Sequence, residues 1–275
     1  MNTLEIMQIA LSKAGMKEIP ADSGIHIQGE NIRKILFSLD VTNSELLLAK
    51  SLGCDLIIAH HPIGDASINF SKVIWRHLDF LLEHGIPKPV AEEAVKQLVE
   101  RVEVRGHPAN YLHVVSAARA MGMPLMNIHL PLDQIGRQVL LNTLKTARIK
   151  TVKDVIRAFE ALPEFSEAST RVALRMGNEQ DEAGRIALVF AAGTNGGYPV
   201  AKAYFDNGID TVIYLHIDYE ELKRLRENSR GNLVVLGHIA GDSIGINIFL
   251  RELRAKGVEV VTVGVVEPKD NSLDS

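Results

Sequence analysis

Short runs of Val, Ile and Leu recur along the chain with helix-like stretches between them, and this alternation restricts the fold more than any other feature. The runs are KILFSL (34–39), DLIIA (55–59), LMNI (125–128), IALVFA (186–191), TVIYL (211–215), LVVLG (233–237) and VEVVTVG (258–264). Each is short, bounded by polar or turn residues and rich in β-formers, so each predicts a buried strand. Between the first two, Thr42 and Glu45 form a capping box, apolar residues 46–49 and 52 follow, and Gly53 closes the helix. The product is a compact βαβ unit ending at His60 and His61. The later runs repeat the construction. The pattern predicts an α/β protein of two related α/β domains, whose chain order lets them intertwine: 1–135 with 236–275, and 136–235. Residues 71–122 carry helical spacing almost throughout, including the amphipathic VAEEAVKQLVERVEV, and predict a helical insertion. The charged stretch GNEQDEAGR (177–185) predicts a turn or exposed hairpin.

Composition removes several classes of function. A net charge of -4 offers no electrostatic footprint for nucleic acid or an anionic membrane. With one cysteine, Cys54, neither an intrachain disulfide nor a thiolate-built zinc site can form, as suits a reducing compartment. Cys54 precedes a buried strand and reads as inert. MNTLEIMQIALSKAGM mixes charged and polar residues among apolar ones, so it predicts an amphipathic helix and not a signal peptide. No apolar run reaches the length of about 20 residues that a membrane span needs. The expectation is a cytoplasmic protein with no membrane or nucleic-acid partner.

Ten histidines make imidazole the natural vehicle for chemistry. In open α/β sheets, ligands collect beyond the carboxyl ends of the strands. His60 and His61 end one predicted strand, and Pro62 breaks it there, so that two neighbouring imidazoles can address one pocket or two ions. His129 follows LMNI with Asp133 one helical turn on, and His238 follows LVVLG with Asp242 at the same spacing. His216 follows TVIYL. Imidazole and carboxylate without sulfur suit one or two divalent ions of Zn, Mn, Fe, Co or Ni more than Ca or Mg. Such a site would lie in the cleft between the domains. AAGTNGGYP (191–199) links a strand to a helix, where Thr194, Asn195, Gly196 and Gly197 could hold a phosphate or substrate, or form a tight glycine turn. Asp40 and Thr42 are expected to cap their helix, and no Gly-x-Ser-x-Gly elbow argues for a serine hydrolase.

Residues 38–64, SLDVTNSELLLAKSLGCDLIIAHHPIG, closely resemble the signature of the NGG-interacting-factor-like family, a Leu-Asp-x-Thr turn, a helix and a strand ending in His-His-Pro. HLPLD is similar to that family's His-Thr-Asn-Leu-Asp segment, LGHIAGDS to its Gly-His-x-x-x-Glu segment, and AAGTNGGY to its glycine-rich turn. The resemblance implies a two-domain α/β fold, a dinuclear divalent-metal site and assembly as a ring-shaped homo-hexamer. It makes His60, His61, Asp133 and His238 ligands, with His129 in or beside the coordination sphere. Asp242 stands where the family pattern has Glu, a side chain one methylene longer. The 71–122 segment is longer than the family's usual connection, and His77, His84, His107 and His113 within it are expected on helix surfaces. Family members carry names as a GTP cyclohydrolase type and as metal-dependent hydrolases. Two functions follow as expectations. One is a metal-dependent hydrolase of a phosphorylated or nucleotide-like small molecule, with His129 or His216 moving the proton. The alternative is a non-catalytic metal-binding regulatory or interaction protein.

Overall fold

The computed structural model describes residues 1–269. Thirteen helices and nine strands follow one another in those residues. Helix α1 (Thr3–Ala14) precedes β1 (Gly24–Ile27), β2 (Lys34–Ser38), α2 (Asn43–Ser51) and β3 (Leu56–Ala59). A helical run follows: α3 (Gly64–Ile68), α4 (Ser71–Ile74), α5 (Arg76–Glu83), α6 (Lys88–Gly106) and α7 (Leu112–Met121). Then come β4 (Leu125–Asn127), α8 (Leu130–Thr146), α9 (Val152–Glu160), α10 (Pro163–Glu167), β5 (Ala173–Met176) and β6 (Ile186–Leu188). The remainder is α11 (Gly197–Asp206), β7 (Thr211–Tyr214), α12 (Tyr219–Asn228), β8 (Asn232–Val235), α13 (His238–Ala255) and β9 (Glu259–Val263).

The strands form two sheets, ordered β1-β4-β3-β2-β9 and β5-β8-β7-β6. Each is parallel except for one antiparallel edge strand, β1 in the first and β5 in the second. These two are the strands with no signal in the sequence. Their residues are only partly buried or exposed, so they lack the apolar run that marks a parallel strand covered on both faces. The stretch 177–185 is not a hairpin. Strand β5 pairs with β8 and not with β6, so this segment carries the chain from one edge of the sheet to the other.

Burial explains the layering. Ile35, Phe37, Leu56, Ile58 and Met126 face a core with α1, α8 and α13, while Leu36, Ile57 and Leu125 face α2 and α7. In the second sheet, Leu188, Ile213 and Val234 pack on α9 and α13, and Ala187, Val212 and Tyr214 pack under α6, α11 and α12. The pair α8–α13 belongs to both layers, since Ile246, Phe249 and Leu250 enter the first core while Ala240 and Ile244 enter the second. Each such fully buried side chain contributes about 1.5–3 kcal/mol of apolar transfer energy. The two helices meet at glycines. A Cβ on Gly245 would lie 1.9 Å from the Leu132 carbonyl oxygen and 2.9 Å from Gly136 N, and one on Gly136 would lie 3.4 Å from Gly245 N. Among the described residues, no helix is long and apolar enough to cross a membrane.

The capping box at Thr42 forms as expected, with Glu45 closing it, and Gly53 takes a left-handed φ of 68° just after α2. One expectation about the helical run needs correction. His77 is fully buried, because it shares the inner stripe of α5 with Phe80 and Leu81.

Candidate metal centre

Four loops converge at the carboxyl ends of the parallel strands, two from each sheet. His60 and His61 leave β3, His129 leaves β4 as the residue before α8, and Asp133 lies one turn into that helix. From the second sheet, His216 leaves β7, and His238 opens α13 with Asp242 one turn on. The close α8–α13 crossing is what brings Asp133 and Asp242 together. The ring centroids of His60 and His129 are 4.9 Å apart, those of His61 and His238 5.1 Å, and those of His216 and His238 4.8 Å.

Three groups of side chains could each hold a metal ion: His60 with Asp133 and Asp242, His61 with His238 and Asp242, and His60 with His61 and His129. Asp242 is common to the first two. Its Oδ2 lies 3.0 Å from His238 Nε2, 3.5 Å from His61 Nε2 and 3.6 Å from His60 Nε2. The shorter carboxylate at this position therefore still reaches all three imidazoles, because Gly241 and Gly245 let α13 sit deep against Leu215 and α8.

Hydrogen bonds on the far side of each ring set its tautomer. His60 Nδ1 donates to the Ile128 carbonyl at 3.1 Å, His61 Nδ1 to Asp40 at 2.8 Å, and His129 Nδ1 to Asp22 at 2.7 Å. A carbonyl or carboxylate only accepts, so the proton sits on Nδ1 and the neutral ring turns the Nε2 lone pair inward. There it meets carboxylate oxygens, with His60 Nε2 3.3 Å from Asp133 Oδ1. Lone pair faces lone pair. Four buried atoms, His60 Nε2, His61 Nε2, Asp133 Oδ1 and Asp242 Oδ2, consequently have no hydrogen-bond partner. Four orphaned acceptors in one place are unfavourable alone, and a shared cation satisfies all of them at once. The donor set fits a divalent transition metal.

Without an ion the same carboxylates draw protons onto two of these rings, and a bound cation would take the place of those protons. Burial pushes the His60 pKa down, against the pull of Asp133. Burial also opposes charge on His61 and His129, but carboxylates outweigh it: Asp242 and Asp40 raise His61, while Asp133 and Asp22 lift His129 to about 9. For Asp242, burial is overcome by the neighbouring His238, His61 and His60 imidazoles, which hold its carboxyl well below the usual range. Burial and the neighbouring His238 lower His216.

A narrow cavity of about 30 Å3 lies over these groups, lined by His129, Asp133, His216, His238, Asp242 and the loop 189–195. Thr194 and Asn195 face it, and the Asn195 amide donates to His216 Nδ1 at 2.9 Å. The backbone of the glycine turn is already engaged. Gly196 N–H donates to Thr194 Oγ1, Gly197 N–H to Asn195 Oδ1 and Tyr198 N–H to Glu221 Oε2. The start of α11 thus holds a carboxylate of this chain where an anion was expected, and Thr194 and Asn195 are what the turn presents to the cavity.

Several residues around the site had escaped the sequence reading. Asp40 and Thr42 were both expected to cap α2; Thr42 does so, and Asp40 holds His61 instead. Asp22 lies in an irregular segment with nothing to mark it. Arg76, from the helical run, donates to the carbonyl of Ala191, a non-glycine residue at φ 63°, and to Gln134 beside Asp133, both at 2.9 Å. His77 approaches Thr194 Oγ1 at 3.4 Å. The helical insertion therefore braces the cavity wall.

Comparison with known proteins agrees with the fold. The model of the Duf34/NIF3 (NGG1p interacting factor 3) family matches residues 2–88. The chain is 24% identical to a Pyrococcus horikoshii protein named GTP cyclohydrolase 1 type 2 homolog, covering 88% of each. It matches the structure of reduced HcgD from Methanocaldococcus jannaschii at 15% identity and TM-score 0.60, over 95% of this chain and 97% of that one. With the structure of a NIF3 superfamily protein from Sphaerobacter thermophilus it shares 44% identity and a TM-score of 0.94, over 97% of this chain and 99% of that one. The chain belongs to the NIF3 superfamily.

Proposed function

We propose that the protein is a divalent-metal-dependent hydrolase of a small phosphorylated or nucleotide-like molecule. The observation that carries this reading is the meeting of four orphaned acceptor atoms, from the end of β3, α8 and α13, beneath a narrow cavity. His60, Asp133 and Asp242 would hold one ion and His61, His238 and Asp242 a second, with Asp242 shared. The donor set suits Zn, Mn, Fe, Co or Ni. When bound, such ions lower the pKa of a water molecule and polarise a substrate oxygen. The chain's own residues do the rest. His129 and His216 line the cavity without belonging to either carboxylate-bearing group, so they are placed to accept or return a proton. Thr194 and Asn195, backed by Gly196 and Gly197, would contact the substrate. His238, the most exposed of the proposed ligands, stands at the opening. The substrate class draws on the cyclohydrolase-like names of the relatives, and a cytoplasmic ring-shaped homo-hexamer follows from the family resemblance.

Metal analysis followed by a hydrolase screen over phosphorylated and nucleoside substrates tests this, with His60→Ala as the control. The expected result is one or two equivalents of metal, and turnover lost in parallel with metal in the variant. Stoichiometric metal with no turnover on any substrate would refute the catalytic reading and leave a metal-binding protein.

A further inference from the structure

We propose that Asp22 is the positioning residue that holds His129 with its Nε2 turned into the cavity. Asp22 is fully buried, and its Oδ2 accepts from His129 Nδ1 at 2.7 Å. A carboxylate can only accept here, so it selects the ring tautomer with the proton on Nδ1. A network of unusual completeness keeps the carboxylate in place. The His129 backbone N–H donates to Ser23 Oγ at 2.9 Å, and that hydroxyl in turn donates to Asp22 Oδ1 at 3.3 Å. The Asp22 carbonyl accepts from the Asn127 amide at 2.7 Å, and Ser23 N–H closes a turn onto Pro20 at 3.0 Å. The segment before β1 is thereby strapped across the end of β4. Phe70 packs edge-on against the His129 ring at 5.6 Å, which hinders its rotation.

The orientation matters because of what remains on the inner side. His129 Nε2 lies 3.8 Å from Asp133 Oδ2, beside the proposed ions, and His129 belongs to neither of the two carboxylate-bearing groups. An imidazole outside those two groups, with a buried carboxylate on its outer nitrogen, has the arrangement of a proton-transfer pair. This deepens the proposed function and rests on its assignment of His129 to proton handling.

The Ser23 donor makes the test sharp. In Asp22→Asn, the amide oxygen should stay with the Ser23 hydroxyl, and the amide N–H2 should face His129 Nδ1. That arrangement demands an acceptor at Nδ1 and moves the ring proton to Nε2. Nitrogen-15 NMR of the His129 ring reads the change in the full chain without added metal, over a pH series carried up to the point where the ring is neutral. The expected result is the one-bond N–H coupling on Nδ1 in the wild type and on Nε2 in Asp22→Asn, with Asp22→Leu showing a mixture. A wild-type proton on Nε2, or a tautomer indifferent to both substitutions, overturns the proposal. The wild-type spectrum alone decides if a variant does not fold. Zinc stoichiometry by mass spectrometry separates the two readings. Unchanged zinc in Asp22→Asn with a swapped tautomer supports both, whereas zinc loss with the swap sustains Asp22 as positioning residue and makes His129 a ligand.

Discussion

The α8–α13 crossing should couple stability to the metal site, and Gly245→Ala tests the coupling most directly. The added Cβ would lie 1.9 Å from the Leu132 carbonyl oxygen and 2.9 Å from Gly136 N. Real Cβ contacts do not fall below 3.0 Å, so the helices must separate by at least about 1.1 Å. Both obstructing atoms are backbone, so no rotamer change can relieve the clash. Overpacking of this kind costs about 1–3 kcal/mol, and the upper end applies because backbone must move. Ala returns about 1 kcal/mol through its better helix propensity, leaving a net loss of about 2 kcal/mol. In a chain of this size that lowers Tm by about 4–8 °C. The effect on the site should be larger in proportion. Leu132 adjoins Asp133, Gly245 lies one turn beyond Asp242, and metal sites tolerate displacements of only about 0.2 Å. Zinc affinity measured by calorimetry should therefore fall by at least about 10-fold, the scale seen when the supports of a ligand are disturbed. Gly106→Ala, where a Cβ meets nothing within 4 Å, controls for the substitution itself. A Gly245→Ala protein with wild-type Tm and zinc affinity would refute the claim that this crossing sets the site.

Acid should destabilise the fold through His77. Burial depresses its pKa to about 3, while the unfolded chain takes up that proton near 6.5, so its contribution is whole above about pH 6.5 and is lost as pH falls toward 3. Urea unfolding from pH 7 to 4 should show a shallower decline in His77→Leu, and parallel curves would contradict this. Arg76→Met keeps the aliphatic stem but leaves the Ala191 carbonyl and Gln134 without their donor. A stability loss of about 1–3 kcal/mol is expected by chemical denaturation, and a loss below about 0.5 kcal/mol would show that the brace is dispensable.

How far the letters could be read depends on which interactions make each part. Parallel strands such as Leu56–Ala59 are apolar on both faces, so they stand out, and the Thr42–Glu45 box is a local contact between residues three apart. Strands β1 and β5 have no such mark because they lie at edges and are only half covered. His77 could have been placed inside, since it keeps i, i+3, i+4 spacing with Phe80 and Leu81. Asp22 and Glu221 could not, because each acts across a large sequence separation from an unremarkable position.

Read alone, the chain determined its α/β class, the helix after β2, and the set of histidines and carboxylates at strand ends. These follow from periodicity and local spacing, which a linear order records. Only tertiary structure decided that Asp242 reaches three imidazoles, that Asp22 and Asp40 set ring tautomers, and that Glu221 fills the start of α11. Those contacts depend on where two helices cross and how closely glycine lets them approach, and a sequence carries no distance between residues that only packing brings together.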